Sequence, residues 1–409
     1  MSYNNIAIPA MYLSNDRCFD FVSGMIVLKL VPFSLSLNAK NRTICFYVIQ
    51  EHTVNTKEQI LEILKTVVDP RLGCDYVSAR MVKVSDDARE VQILLGYPAK
   101  NVIDEVRAQV QAAFDKAGVA VQLDVKQHIV AHAVQRTLKV LSNVKNIIAV
   151  ASGKGGVGKS TVAANLALAL SAEGAKVGML DADIYGPSQP MMLGAQGRPI
   201  SNDGQNMFPV VSLGLEINSI GFLIDADEPM IWRGPLVAQA LTQLLMQTKW
   251  GDLDYLVIDM PPGTGDIQLT LSQTVPVTGA VIVTTPQDIA LLDAQKGLRM
   301  FNKVNVPVLG VVENMAMFVC PKCGHLEHIF GQGGAERLSR TYGCEVLGHL
   351  PLQTSIREKA DSGEPTVIGE PESEAAKIYR DIAMKAACAI AKTAKDMSLK
   401  MPTVKVEKN

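Results

Sequence analysis

From Lys145 onward the chain alternates short apolar runs with longer amphipathic stretches of helical spacing. The runs Ile147 to Ala151, Val177 to Leu180, Leu256 to Ile258, Ala280 to Thr284, Val308 to Val312 and Val346 to Leu350 read as strands. Between them Thr161 to Ala172, Leu236 to Thr248 and Leu291 to Phe301 read as helices. Alternation of this kind marks βαβ units, and strands apolar along their whole length imply a parallel sheet covered on both faces. The expected fold over residues 146–395 is therefore α/β, a doubly wound parallel sheet. It closes with an Ala-rich helix over Glu372 to Lys395, and residues 396–409 are expected to form a flexible tail.

Upstream the pattern differs. Thr56 is placed to cap a helix that puts Ile60, Leu61, Leu64 and Val67 on one face. Strands are expected at Tyr76 to Val84 and Glu90 to Leu95, then a helical stripe through Val102, Val106, Val110 and Phe114, then a strand at Val119 to Val125. Residues 55–128 thus read as a small N-terminal α+β domain. A connector at 129–145, with His128, His132 and Arg136 in and beside it and neither Pro nor Gly, is expected to be helical and semi-rigid.

Residues 1–53 stand apart as an atypical extension. Phe21 to Leu37 is apolar, but Lys29 and Pro32 interrupt it and it is shorter than a clean membrane span. It has neither the basic flank nor the small-residue cleavage site of a secretory signal. Regular organisation is expected to begin only at Val54, with the preceding residues an over-extended start.

Composition narrows the functional classes. The 39 Lys+Arg against 41 Asp+Glu leave a net charge of −2, so there is no global electrostatic footprint for nucleic acid or an anionic membrane. Seven cysteines, an odd number in a chain of 409 residues, argue against a disulfide framework and for reduced thiols in a cytoplasmic setting.

The strongest local signal is Gly153-Lys154-Gly155-Gly156-Val157-Gly158-Lys159-Ser160, followed by Thr161, between an apolar strand and a helix. Glycines there let backbone N–H groups turn inward onto phosphates, Lys159 supplies positive charge, and the Ser160 hydroxyl can ligate Mg²⁺. Lys154 is an addition to the ordinary pattern: either a phosphate contact reaching across a dimer or a solvated loop lysine. Two acidic stretches end later strands, where ligands of open α/β sheets gather. Asp259, after Tyr255-Leu256-Val257-Ile258, is placed to hold Mg²⁺ through water, and the turn Met260 to Asp266 to sense the γ-phosphate. Asp183 is placed to orient the attacking water, while Asp181 serves either function or the cap of a following helix.

Cys320-Pro321-Lys322-Cys323-Gly324-His325 is the second signal. Two thiolates at this spacing hold one edge of a metal or cluster, whereas zinc and a 4Fe-4S cluster each take four ligands. With no second matching pair in the chain, a two-fold dimer joining Cys320 and Cys323 to their symmetry mates is the economical solution. His325 and His328 completing a zinc site within one chain, and a redox dithiol, are the competing readings. Cys18, Cys45, Cys74, Cys344 and Cys388 stand alone and read as incidental.

The loop with Lys154 resembles the deviant Walker A of the ParA/MinD class of P-loop NTPases. Taken with Asp181 to Ser188, Asp259 to Asp266, Glu313-Asn314-Met315 and Cys320 to Gly324, the chain over residues 55–395 resembles the Mrp/ApbC group of iron–sulfur cluster carriers. The small domain, with its Asp69-Pro70 turn, resembles the FeS-assembly domain of many bacterial members. The resemblance implies an ATP-binding, slowly hydrolysing homodimer that carries a 4Fe-4S cluster between its Cys320 and Cys323 pairs and passes it to apo iron–sulfur proteins, working with a cluster-assembly scaffold. It places Lys154 at the partner's nucleotide, Asp183 and Asp259 at the two switches and Asn314 near the adenine. Leu95-Gly96-Tyr97-Pro98-Ala99 lacks the reactive cysteine of some such N-terminal domains, so no cluster chemistry is assigned there. Other functional classes are a positioning ATPase of the MinD or ParA kind and a zinc-bridged dimer. The C-terminal helix lacks the Leu/Phe/Trp face of a membrane anchor.

Overall fold

A computed structural model describes the backbone of residues 21–23, 26–35 and 44–53, and residues 56–132, 134, 138, 140–223, 234–320 and 322–393. Its centre is a nine-stranded sheet. In spatial order the strands are Val210–Ser212, Leu215–Ser219, Val177–Asp181, Leu253–Asp259, Val144–Ala151, Gly279–Thr284, Val308–Val319 and Leu326–Glu327, with Val346–Leu352 also paired to Val308–Val319. Only Val210–Ser212 and Leu326–Glu327 run antiparallel to their neighbours. The central strands are buried along their length, as expected for a sheet sandwiched between helices. Every expected strand of this region is present, several of them longer: the run beginning at Val308 continues to Val319.

One hydrophobic core lies on each side of the sheet. The helix after the phosphate loop, Lys159–Ala172, is buried nearly all round, because the C-terminal helix Glu374–Ala391 covers the side that the sheet does not. That explains the Ala-rich composition of the last helix: Ala375, Ala376, Ala383, Ala386 and Ala387 are its buried face.

The N-terminal unit departs from expectation in detail. Thr56 caps Lys57–Lys65 as anticipated: its Oγ accepts from Gln59 N at 3.3 Å while Thr56 N donates to Gln59 Oε1 at 3.0 Å. The expected strand from Tyr76 to Val84 is instead a turn followed by the short strand Val82–Val84. The cause is Asp75, whose carboxylate accepts from Val77 N and Ser78 N and so draws the backbone out of extended geometry. The last strand runs Gln122–Gln127 rather than from Val119, because Gly118 (φ 68°) first closes the helix Ile103–Ala117 in the left-handed conformation.

The helical connector is a further correction: its described residues are not helical. Asn146 ties down the start of this segment, its Nδ2 donating to Val130 O (3.0 Å) and its Oδ1 facing His132 Nδ1 (2.9 Å). Arg136 lies outside the described residues. The N-terminal unit docks on the C-terminal end of the phosphate-loop helix. Lys100 N donates to Glu173 O (3.0 Å), Asn101 Nδ2 to Glu173 Oε2 (3.1 Å) and Gln127 Nε2 to Gly174 O (3.0 Å).

Regular backbone also precedes Val54, contrary to expectation: Phe21–Ser23, Ile26–Leu35 and Ile44–Thr53 form an antiparallel sheet. Apolar and β-branched residues dominate these runs, which favours strands. Residues 1–20 and 394–409 lie outside the described residues. Among the described residues no helix is long and apolar enough to cross a membrane.

Candidate functional site

The phosphate loop leaves the central strand Val144–Ala151 and enters the helix Lys159–Ala172. Gly156 and Gly158 both take φ near +81°, a conformation that L side chains resist. Space is as restrictive as torsion: a Cβ on Gly158 would sit 2.2 Å from Asn314 Nδ2, and one on Gly153 would sit 2.2 Å from the backbone of Asp293. The loop is braced from two sides. Asn314 Nδ2 donates to Val157 O at 2.8 Å, and Gly263 N donates to Ser152 O at 3.0 Å.

Lys159 is the buried cation of the site, with its side chain 6% exposed. Its ammonium bonds Asp259 Oδ1, lies 3.6 Å from Asp183 Oδ2 and donates to Ser160 Oγ at 3.2 Å. The structure thus brings together Lys159, Ser160, Asp183 and Asp259. Burial pushes the Asp183 carboxyl up, against the opposing pull of Lys159. Lys154 is exposed on the rim of the loop, between Gly153 and the exposed Gly155 and Gly156. Thr161 follows in the first turn of the helix, its carbonyl accepting from Asn165 Nδ2 at 3.0 Å.

Asp181 has a structural role. Its carboxylate accepts from Asp183 N (3.1 Å), Ser188 N (3.0 Å), Gln189 N (3.1 Å) and Ser219 Oγ (3.0 Å), which folds the stretch from Asp181 to Gln189 back on itself. Burial, then the nearby Asp259 charge, push it up to about 7. Sequence reasoning missed Gln189, although it joins two of the expected site residues: its Nε2 donates to Ser160 O at 3.0 Å and Asp259 Oδ2 at 2.9 Å.

Cys320 follows the strand Val308–Val319, at the turn of a short hairpin in which Phe318 pairs with Glu327 and Val319 with Leu326. Cys320 N donates to His325 O and Gly324 N to Cys320 O, both at 2.9 Å, with Gly324 in the left-handed region (φ 70°). The amides of Lys322 and Cys323 point at the Cys320 sulfur and pull its thiol below the usual range, with Cys323 adding to the effect. Cys323 is exposed and Cys320 partly so; neither is in a disulfide. This is a hairpin presenting two thiols outward, not the helix start that a thioredoxin-type dithiol occupies. His325 and His328 do not complete it. Among the described residues the only convergence of three or more metal-ligating side chains is elsewhere, and His328 Nδ1 turns back to Ala316 O at 2.8 Å.

That other convergence is Glu313, Glu336 and His349. His349 Nδ1 meets Glu313 Oε2 and its Nε2 meets Glu336 Oε1, each at 3.0 Å. Glu313 and His349 are register partners on adjacent strands; His349 lies in an expected strand, whereas Glu313 directly follows the expected run Val308 to Val312. The hydrogen bond that His349 donates to the Glu313 carboxylate raises the His349 pKa against the effect of burial. His349 is a strut from its strand to Glu313 and Glu336, and it holds the residue next to Asn314.

Residues 143–387 match the NUBPL iron-transfer P-loop NTPase family, and residues 57–124 match an iron–sulfur cluster assembly protein family. The chain is 56% identical over 310 residues to the iron–sulfur cluster carrier protein of Escherichia coli, covering 74% of this chain and 83% of that one. It is 55% identical over 247 residues to the iron–sulfur cluster transfer protein NUBPL of Mus musculus, covering 60% and 77%. A solved structure of a nucleotide-binding protein from Archaeoglobus fulgidus, in complex with ADP, superposes with a TM-score of 0.51 at 40% identity, over 58% of this chain and 93% of that one. The glycine loop on a central parallel strand, and a match that spans more than half of the sequence, establish that this chain belongs to the NUBPL iron-transfer P-loop NTPase family.

Proposed function

We propose that this protein binds and slowly hydrolyses ATP as a homodimer and carries a 4Fe-4S cluster, held between the Cys320 and Cys323 pairs of two copies, to apo-proteins. The observation that carries the reading is the hairpin-borne cysteine pair. Its two thiols are accessible, one is biased toward thiolate by backbone amides, and two ligands are half of what a cluster takes. The names of the relatives from Escherichia coli and Mus musculus support the same cargo.

At the nucleotide site the roles divide by chemistry. Inward-turned amides of Gly153 to Thr161 and the Lys159 ammonium would receive the phosphates. The Ser160 hydroxyl with Asp259 and Asp183 supplies hard oxygen donors of the kind Mg²⁺ takes, so the residues fit that ion. Bound there, Mg²⁺ would neutralise phosphate charge. Lys159 now satisfies both carboxylates, and it must release them to serve the nucleotide. Asp183 then orients water, exposed Lys154 reaches the partner's nucleotide, and Asn314 sits toward the adenine while bracing the loop. Asn314 and Cys320 share one chain segment, which couples the nucleotide site to the cargo site. Reduced, accessible thiols suit the cytoplasm.

Variants separate the two sites. Cys320→Ala or Cys323→Ala should abolish cluster binding and retain nucleotide, and Lys159→Ala should do the reverse. A full complement of cluster on either cysteine variant would overturn the bridging assignment. Lipid or DNA pelleting with ATP tests the positioning-ATPase class; no pelleting is expected, since the apolar face of Glu374–Ala391 is buried within the protein.

A further inference from the structure

Gln189 is wholly buried, and its side chain joins the two residues, Ser160 and Asp259, whose side chains are expected to face Mg²⁺. One Nε2 serves both the main-chain oxygen of Ser160 and Oδ2 of Asp259, while Lys159 holds the other oxygen of the same carboxylate. Both partners of Nε2 are acceptors, so the orientation of the amide is settled by chemistry: turned over, its oxygen would face two oxygens. The opposite end, Oε1, is buried with no hydrogen-bond partner among the described residues. The backbone of Gln189 is pinned as well, by the Asp181 carboxylate, which draws Ser188 N and Gln189 N to one oxygen.

Few side chains can do this. Glutamate offers no donor at neutral pH and would set a second carboxylate against Asp259. Lysine or arginine would add a cation beside Lys159 that competes with Mg²⁺. Asparagine is a methylene shorter. An uncharged amide donates to both partners without altering the charge of the site.

We propose that Gln189 is a positioning residue for Mg²⁺-dependent ATP hydrolysis. It ties Asp259 to the main chain of Ser160, so that the hydroxyl and the carboxylate keep one mutual geometry when Lys159 leaves Asp259 for the phosphates. Only Oδ1, the oxygen now held by Lys159, then changes partner. The proposal rests on the nucleotide-site reading above.

The test uses the full chain, a fluorescent ATP analogue and the variants Gln189→Met and Gln189→Glu. Methionine keeps the length and removes the donors. In EDTA, Gln189→Met should bind the analogue within about twofold of wild type, because the phosphate amides and Lys159 are untouched. The gain in affinity on adding Mg²⁺ should shrink, and the Mg²⁺ concentration for half-maximal hydrolysis should rise, each about tenfold, as is usual when a partner that orients a metal-facing ligand is lost. The turnover number should fall by a similar factor, about tenfold, with KM for ATP changed by less than about threefold. Gln189→Glu should lose more, and it serves if the methionine variant fails to fold. Unchanged Mg²⁺ dependence in either variant, or weakened binding in EDTA that tracks a lowered Tm, overturns the proposal and leaves Gln189 a packing residue. Absence of analogue binding by the wild-type protein would instead sink the nucleotide reading itself, and the positioning role with it.

Discussion

Replacing Lys159 with Met removes the one cation that the structure sets among Asp259, Asp183 and Ser160 while keeping most of the side-chain volume. The Asp259 side chain is 0% exposed and that of Asp183 is 12% exposed, so water cannot take over from the lost ammonium. Removing one partner of a buried pair costs about 3–5 kcal/mol, and that is the expected loss near pH 8 without nucleotide. The loss depends on pH. Lys159 opposes the upward push of burial on Asp183, so its removal moves that carboxyl further above its unfolded value. A group with a raised folded pKa binds more protons folded than unfolded, and stability then falls as pH rises from the unfolded value toward the folded one. Each such proton steepens the fall by about 1.4 kcal/mol per pH unit within that window. The variant should therefore be closest to wild type near pH 5.5 and furthest from it near pH 8. Urea unfolding followed by circular dichroism at both pH values measures this. Saturating ATP at a hundredfold over Kd should stabilise wild type by about 2.7 kcal/mol and the variant not at all. A variant within about 1 kcal/mol of wild type near pH 8, or one with the same loss at both pH values, refutes the reasoning.

Three further outcomes are expected. Asn314→Ala leaves the Val157 carbonyl without its 2.8 Å partner, which should cost about 1–3 kcal/mol locally and weaken binding of a fluorescent ATP analogue roughly tenfold; unaltered affinity would show that the loop holds itself. His349 has its pKa raised above 6.5 by Glu313 and Glu336, so its stabilising contribution is full below that value and lost as pH rises through the folded pKa; an NMR titration midpoint at or below 6.5 would contradict the strut. Tyr97→Phe removes the phenol that donates to one oxygen of the fully buried Asp69, whose other oxygen accepts from Arg71. A destabilisation of about 1–3 kcal/mol in urea, with nucleotide affinity unchanged, is expected, and an equally stable variant would refute the importance of that bond.

The elements that were legible in the chain are those whose signal is local. Apolar runs ending in Asp259 or preceding Gly153 revealed the parallel sheet and its crevice, and Thr56 ahead of Ile60 and Leu64 marked a helix start. What was not legible depends on partners distant in sequence. Gln189 reads as an ordinary polar residue before a proline until Asp259 and Ser160 are seen at its amide. Glu313, His349 and Glu336 meet only because parallel pairing and a helix bring them together. Asp75 turned the start of an apparent strand by capturing amides, and Asn146 ties Val130 and His132 at the start of an apparent helix; in each case a side chain outbid the local propensity of the backbone. The cysteine pair was legible as a ligand pair, but not as the turn of a hairpin, because Leu326 and Glu327 make too short a strand to leave a pattern.

The most direct measurement is anaerobic reconstitution with iron and sulfide, followed by sizing and by iron, sulfide, zinc and ultraviolet-visible analysis. The account predicts a dimer with about four iron and four sulfide per two chains and the broad absorbance of a 4Fe-4S cluster, all lost in Cys320→Ala. Zinc alone at Cys320 and Cys323, or a cluster held by a monomer, would contradict it.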